Sequence, residues 1–270
     1  MNRLNQETQE TILKLLVEGN TIRSVERLTG VHRDTIVRLV KRIGLKCDHY
    51  MDSKLSTLML DHIQVDELHT TVFKKEGHIP HEKKNGLIGE QYIFVAIDRE
   101  TKLIPAFHVG KRDHENAVIF LHQLRDRVVN TFQLSTDQWG GYRHSVRAVF
   151  GMDVHYAQIK KMYYGDDSGR QGYNPARLQA VRINVKIGMP KREMICTSHV
   201  ERQNLTMRMQ MSRLNRLTNA ISKKLDCLRA AVAIHMWHYN FMRVHGSLRM
   251  TPAMAAGIRT DVESWKSLTF

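Results

Sequence analysis

Three acids stand where an acid is hard to keep. Asp66 follows the apolar residues of an alternating run, IQVDELH at 63–69. Asp137 closes a second run, just before Trp139-Gly140-Gly141, and Glu201 opens a helical segment, SHVERQN at 198–204. An unpaired carboxylate within or at the end of a strand is costly unless its charge is compensated. Hard divalent cations compensate it, because they take oxygen ligands and leave room for substrate phosphates. Three carboxylates gathered from two adjacent strands and a helix would supply a two-metal phosphodiester site. There, one ion activates a water against the scissile phosphate and the other stabilises the leaving 3′ oxygen. The chain holds 27 acids, most of them expected on the surface, so three can always be chosen. Asp98, beside Arg99-Glu100-Thr101-Lys102, reads as a turn residue. Glu67 alternates to the face opposite Asp66 and is expected to be exposed or hydrogen-bonded.

The charge balance points to a polyanionic partner. Lys and Arg number 41, the formal net charge is +14 and the pI is near 9.8. A basic surface gains counterion-release energy on nucleic acid. From Lys191 to Arg249 eleven Lys and Arg face three acids, in a segment that is also apolar at helical spacing. Folded basic helices are expected there, not a loose tail. With 42% hydrophobic and 25% charged residues the composition is that of a globular chain. The three cysteines, Cys47, Cys196 and Cys227, have no paired spacing, which excludes a disulfide scaffold and a thiolate zinc ribbon and suits a reducing cytosol. No apolar run is long enough for a membrane span, and the polar first residues carry no secretory core.

The elements that must position the acids can be read from hydrophobic period. Residues 7–43 suggest three helices. Ile12, Leu15 and Leu16 line the first, Thr21 caps the second around Val25, and Thr29-Gly30-Val31 turns into a third that Gly44 ends. Helix, short glycine-containing turn, helix is the helix-turn-helix arrangement. His32, Arg33, Asp34, Thr35, Arg38 and Lys41 face outward on the third helix, types that reach bases and phosphates. A plain helical hairpin with a solvated basic face is the competing reading. Residues 1–46 are therefore expected to be a DNA-binding domain, 47–61 a linker, 62–258 a catalytic domain and 259–270 a tail. Within the catalytic domain the spacing predicts strands at 63–69, 92–98, 103–109 and from 133, with a helix capped by Asp113 and helices from about Ser198 and around Leu225 to Tyr239. Glycines and prolines punctuate 152–195, with short β-like runs such as VRINVKI between, so it reads as an insertion with irregular or small-sheet structure. The fold class is α/β, a mixed sheet flanked by helices behind an all-α N-terminal domain.

In order, the segments IQVDEL, LSTDQWGGY, HVERQNLTMRM and YNFMRVHGSLRMTPAMAAG resemble bacterial DDE transposases, most closely those of the insertion-sequence-one family. The likeness spans most of the chain, from the helix-turn-helix to about Gly257. It implies a ribonuclease H-like fold and cut-and-join chemistry on DNA ends, with Asp66, Asp137 and Glu201 as the catalytic, metal-holding acids. It further implies two Mg²⁺ ions per site, with Mn²⁺ as substitute, and attack on target DNA by the freed 3′-hydroxyl without a covalent protein nucleophile. Double-stranded DNA is the implied partner, a homodimer or larger assembly the working form, and the cytoplasmic nucleoid its place. The chain departs from the family in three ways. The interval between Asp137 and Glu201 is long, so 152–195 must loop out. His69 stands where relatives carry an aromatic residue, and the amino-terminal region has no cysteine finger.

Arg202, Arg208, Arg213 and Arg216 lie near Glu201 and could clamp phosphates, or be solvated helix residues. Gln203 and Asn204 could touch DNA or the glutamate. Trp139 reads as cover over the sheet edge, His235 and His238 as packing residues rather than a metal pair, and Met207, Met209 and Met211 as gap filler. Tyr239-Asn240, His245 and Thr251-Pro252 read as a closing motif for the last helix. Two other functions fit the same residues: a helix-turn-helix transcriptional regulator, and a structure-selective metal-dependent nuclease that cuts without joining.

Overall fold

The computed structural model describes residues 4–83, 85–163 and 178–269. Three helices come first, α1 (Gln6–Val17), α2 (Ile22–Thr29) and α3 (Arg33–Lys54). Their ends follow local chemistry. Asn5 and Thr21 accept from the amides of Thr8 and Ser24 as N-caps, and Gly30 closes α2 at φ +68, a left-handed conformation that glycine adopts without strain. Glu26 then accepts from the Arg33 amide at 2.9 Å, tying the turn to the start of α3. Ile12, Leu13, Val25, Ile36, Leu39, Val40 and Ile43 are buried between these helices.

Gly44 does not end the third helix, and 47–54 is not linker. The helix runs on to Lys54 because its second half packs along α7 (Leu225–Phe241). Gly44 is the crossing point: a Cβ there would come within 2.5 Å of Ala230 Cα. Glycine serves here as a close-approach residue, and the sequence offers the same letter for both uses.

A six-stranded sheet follows, β1 (His62–Val72), β2 (Gly89–Asp98), β3 (Ala106–Gly110), β4 (Phe132–Asp137), β5 (Val154–Tyr163) and β6 (Leu178–Ile187). Their spatial order is β3-β2-β1-β4-β5-β6. β1, β2 and β3 pair antiparallel, β4 lies parallel to β1 and β5 parallel to β4, and β6 returns antiparallel on the edge. The first five strands have the order and directions of a ribonuclease H-like sheet. The parallel joins need crossovers, which α4 (His114–Arg127) and α5 (Gly140–Phe150) supply. Asp113 caps α4 by accepting from the Asn116 amide, as its position in the sequence indicates.

Residues 152–195 hold strands, as the run VRINVKI suggests, but these belong to the main sheet. Their first part is β5, an inner strand of the sheet, and part of the remainder is β6; residues 164–177 lie outside the described ones. β5 reads poorly from sequence because Gln158, Lys160 and Lys161 break its apolar pattern. After β6 come α6 (Ser198–Gln210), α7 and a last short helix, α8 (Pro252–Ala255), capped by Thr251. The side-chain amide of Asn240 on α7 pairs with the Ile104 backbone in both directions, 3.0 and 2.9 Å, fixing α7 to the chain entering β3. The 259–270 stretch is no loose tail. Trp265 is buried against Trp237, ring centres 5.0 Å apart, and Leu268 is buried with it. One hydrophobic core runs from Ile12 through Trp237 to the sheet.

Candidate metal centre and nucleic-acid interface

Register brings the two aspartates together. Parallel pairing sets Val65 opposite Thr136, so Asp66 and Asp137 are the next residues along neighbouring strands. Asp66 sits in mid-strand, whereas β4 stops at Asp137, whose Oδ1 accepts from the Trp139 amide at 2.9 Å. Carboxylate oxygens of Asp66, Glu67 and Asp137 all lie within 4.8 Å of one another. Oxygen donors of this charge and spacing suit a hard divalent ion.

Glu201 is outside that trio but on the element that reaches it. The structure ties the start of α6 to β1 through Gln64, which is buried. Its Oε1 accepts from the amides of His199 and Val200 at 2.9 and 3.3 Å, and its Nε2 donates to Cys196 Sγ. Those amides belong to the first turn, where a helix has donors without internal partners. One turn beyond Glu201, Asn204 Nδ2 donates to Asp66 Oδ2 at 2.8 Å. Asn204 therefore touches the first aspartate. Glu201 itself pairs with Lys161 on β5 and accepts from Thr197 Oγ1 at 2.7 Å.

Burial raises the Asp66 carboxyl to about 6; the charges of Asp137 and Glu201 add to this, while the Asn204 hydrogen bond opposes it. Glu67 goes to about 7, again chiefly through burial, with the Tyr142 hydroxyl and Arg112 opposing. Alternation predicts Glu67 on the face opposite Asp66, yet its carboxylate comes within 4.8 Å of those of Asp66 and Asp137, and its side chain is only 2% exposed. It is covered by Arg112, which donates to it at 3.0 Å. Exposure was the wrong expectation; hydrogen bonding was right. The sequence hides this because the covering residues come from distant segments. Trp139 is half-buried against Phe94 and Tyr142.

The residues expected at DNA divide. On α3, Arg33 and Arg38 are exposed, His32 caps the helix, Thr35 accepts from Arg38, and Lys41 pairs with Asp226 of α7. Arg202 and Arg216 are exposed. Arg208 and Arg213 are instead committed within the chain. Arg208 donates to the Leu214 carbonyl at 2.8 Å, and the half-buried Arg213 donates to Ser222 Oγ and the Cys227 carbonyl at 2.9 and 3.3 Å. Arg208 thus satisfies a carbonyl of the segment after α6, and Arg213 ties Ser222 to the first turn of α7.

A groove of about 810 Å³ opens between α2, the start of α3 and the 218–224 loop. Arg23, Arg33, Lys41, Lys223 and Lys224 line it against a single lining acid, Asp34. Arg23, Lys223 and Lys224 are exposed, and sequence patterning did not single them out. Adjacent lysines in Ser222-Lys223-Lys224 were the available signal.

No protein-family model matches the chain, and no curated protein does. Among solved structures it is similar to the Mos1 strand transfer complex, at 10% identity and a TM-score of 0.24. It is likewise similar to the Mos1 transposase paired-end complex with left transposon end, at 9% identity and 0.24, and to a pre-cleavage Mos1 transpososome, at 9% and 0.22. Each match covers 58% of this chain, which spans about three-fifths of those chains, 59%, 60% and 60%. A likeness this slight says nothing by itself about activity.

Proposed function

We propose that the chain is a DNA transposase of an insertion sequence, of the bacterial DDE kind its motifs resemble, that cleaves DNA strands and joins them to a target. One observation carries this: β1 and β4 place Asp66 beside Asp137, and Gln64 fastens to β1 the helix bearing Glu201. Asp66, Asp137 and Glu201 would hold Mg²⁺ or Mn²⁺, two ions per site. When bound, such ions supply an activated water and neutralise charge on the departing 3′ oxygen.

The chain's own residues do the rest. Asn204 orients Asp66 through its amide, and Lys161 and Thr197 hold Glu201 until it turns toward the aspartates. The three N-terminal helices act as a helix-turn-helix, with His32, Arg33, Thr35, Arg38 and Lys41 toward the DNA and the basic groove gripping its backbone. Exposed Arg202 and Arg216 add phosphate contacts nearer the acids. Work at two DNA ends calls for a homodimer or larger assembly.

The test is a cleavage and strand-transfer assay on duplexes carrying the ends of the element. Asp66→Ala, Asp137→Ala and Glu201→Ala are each expected to lower Mg²⁺-dependent cleavage at least about 1,000-fold, while end binding stays within about threefold. Cleavage retained by one variant removes that residue from the site. Cleavage without joining of a pre-cut end favours a structure-selective nuclease. End binding with neither activity favours a transcriptional regulator.

A further inference from the structure

Beside its carboxylates the chain builds a fixed cation. Arg112 leaves β3 just before α4, and Nε and Nη2 each lie 3.0 Å from Glu67 Oε2. Nη2 also reaches Asp137 Oδ2 at 3.5 Å. The guanidinium lies 4.8 Å from the centre of the Trp139 ring and 5.8 Å from that of Tyr92. A planar, permanently charged group suits this place, because it can stack on rings and hydrogen-bond along its edge at once. Glu67 beneath it is almost wholly buried, yet Arg112 remains 34% exposed at the mouth of the cluster. Asp137, which it also reaches, is itself 42% exposed. A salt bridge serving only to neutralise Glu67 has no need of two aromatic walls or of a reach to a second carboxylate.

We propose that Arg112 is an anion anchor of the cleavage site, contacting a non-bridging phosphate oxygen of the bound strand, with Glu67 as the residue that positions it. Nη2 lies beside Asp137; were Asp137 to hold a metal ion, that N–H would face the phosphate beside it. The inference rests on the metal-centre reading above. It adds to that reading a charge that competes with the ions in the absence of DNA and assists the reaction in its presence.

The two roles predict opposite effects of one substitution. Arg112→Gln in the full chain should bind Mn²⁺ at least about threefold more tightly without DNA, since a neighbouring positive charge is gone. The same variant should cleave end duplex about 100-fold more slowly in single turnover. Arg112→Lys keeps the charge and loses the fork, so its Mn²⁺ affinity should stay within about twofold while cleavage falls about tenfold. Mn²⁺ binding is read by the paramagnetic resonance of the free ion, and folding by thermal melting. Unchanged or weaker Mn²⁺ binding by Arg112→Gln, or cleavage within about threefold of the parent by either variant, overturns the proposal. Should Arg112→Gln fail to melt cooperatively, Glu67→Gln/Arg112→Gln leaves no unpaired buried charge; wild-type cleavage by that double variant, or by Arg112→Lys, also overturns it. A parent chain that binds no Mn²⁺ would instead sink the metal-centre reading, and the Arg112 role with it.

Discussion

Gln64 shows how an uncharged residue can govern a charged site. It points the same way along β1 as Asp66, two residues on, and spends its carbonyl on the first amides of α6. Hydrophobic patterning marks Ile63 and Val65 and passes over the glutamine between them. The acids were legible because carboxylates in strands are conspicuous. Of their supporting residues, Asn204 is expected at the glutamate or DNA and touches Asp66 instead, while Gln64 and Arg112 are only polar letters, since what they touch lies far away in sequence. His235 belongs to the same class. The sequence suggests a packing residue, and it is 1% exposed, with neither ring nitrogen partnered among the described residues. Burial pushes it down to about 3, with His238 and Arg243 adding; burial takes His238 to about 4, with Arg243 adding. Arg213 lines the same cavity as His235, a further positive neighbour. In the unfolded chain a histidine titrates near 6.5. The folded form therefore binds fewer protons below that pH. The stability these residues allow is complete above about 6.5 and is lost as pH falls toward 4 and then 3. Each pH unit in that window costs up to about 1.4 kcal/mol per histidine. Calorimetric melting of His235→Met between pH 7 and 4 should show a clearly shallower loss than the parent, with little change at pH 7. An identical slope would mean His235 does not titrate on unfolding.

At the scale of elements, most of what period and capping predict is present: α2 with its Thr21 cap, the strands around Asp66 and Asp137, the Asp113 cap, and helices at 198 and 225. The failures share a physical cause. β5 is polar enough to pass for loop, and its strand character comes from pairing with β4 on one side and β6 on the other. α3 outruns Gly44 because α7 covers its second half. In both cases tertiary contacts override a local signal. Gly44 makes the point testable. Alanine at an internal helix glycine ordinarily adds about 1 kcal/mol of helix propensity. Here the new methyl would meet Ala230 Cα and Cβ at 2.5 Å and its carbonyl oxygen at 2.7 Å. Gly44→Ala should therefore lose about 1–3 kcal/mol in denaturant unfolding. Ala230→Gly should restore part of it, since the carbonyl stays in the way. A stabilised Gly44→Ala would show that the two helices do not approach this closely in solution.

Across the whole molecule, helices read as a separate DNA-binding unit share one core with the sheet. α3 packs on α7, α7 is fastened by Asn240 ahead of β3, and Trp265 near the end of the chain closes over Trp237. A basic groove and a carboxylate cluster on the sheet are thus held in one frame, as the proposed grip on DNA and cleavage beside it require. Charge composition points to a polyanionic partner, and motif order to the three acids. Neither could reveal that Glu67 is the carboxylate that stands beside Asp66 and Asp137. The most direct measurement is anomalous scattering from crystals of the chain soaked in Mn²⁺. Density peaks at coordination distance from both Asp66 and Asp137, with Glu201 swung from Lys161 toward them, are the expected result. Manganese absent from those aspartates, or bound only elsewhere, would contradict a metal-dependent cleavage site in this fold.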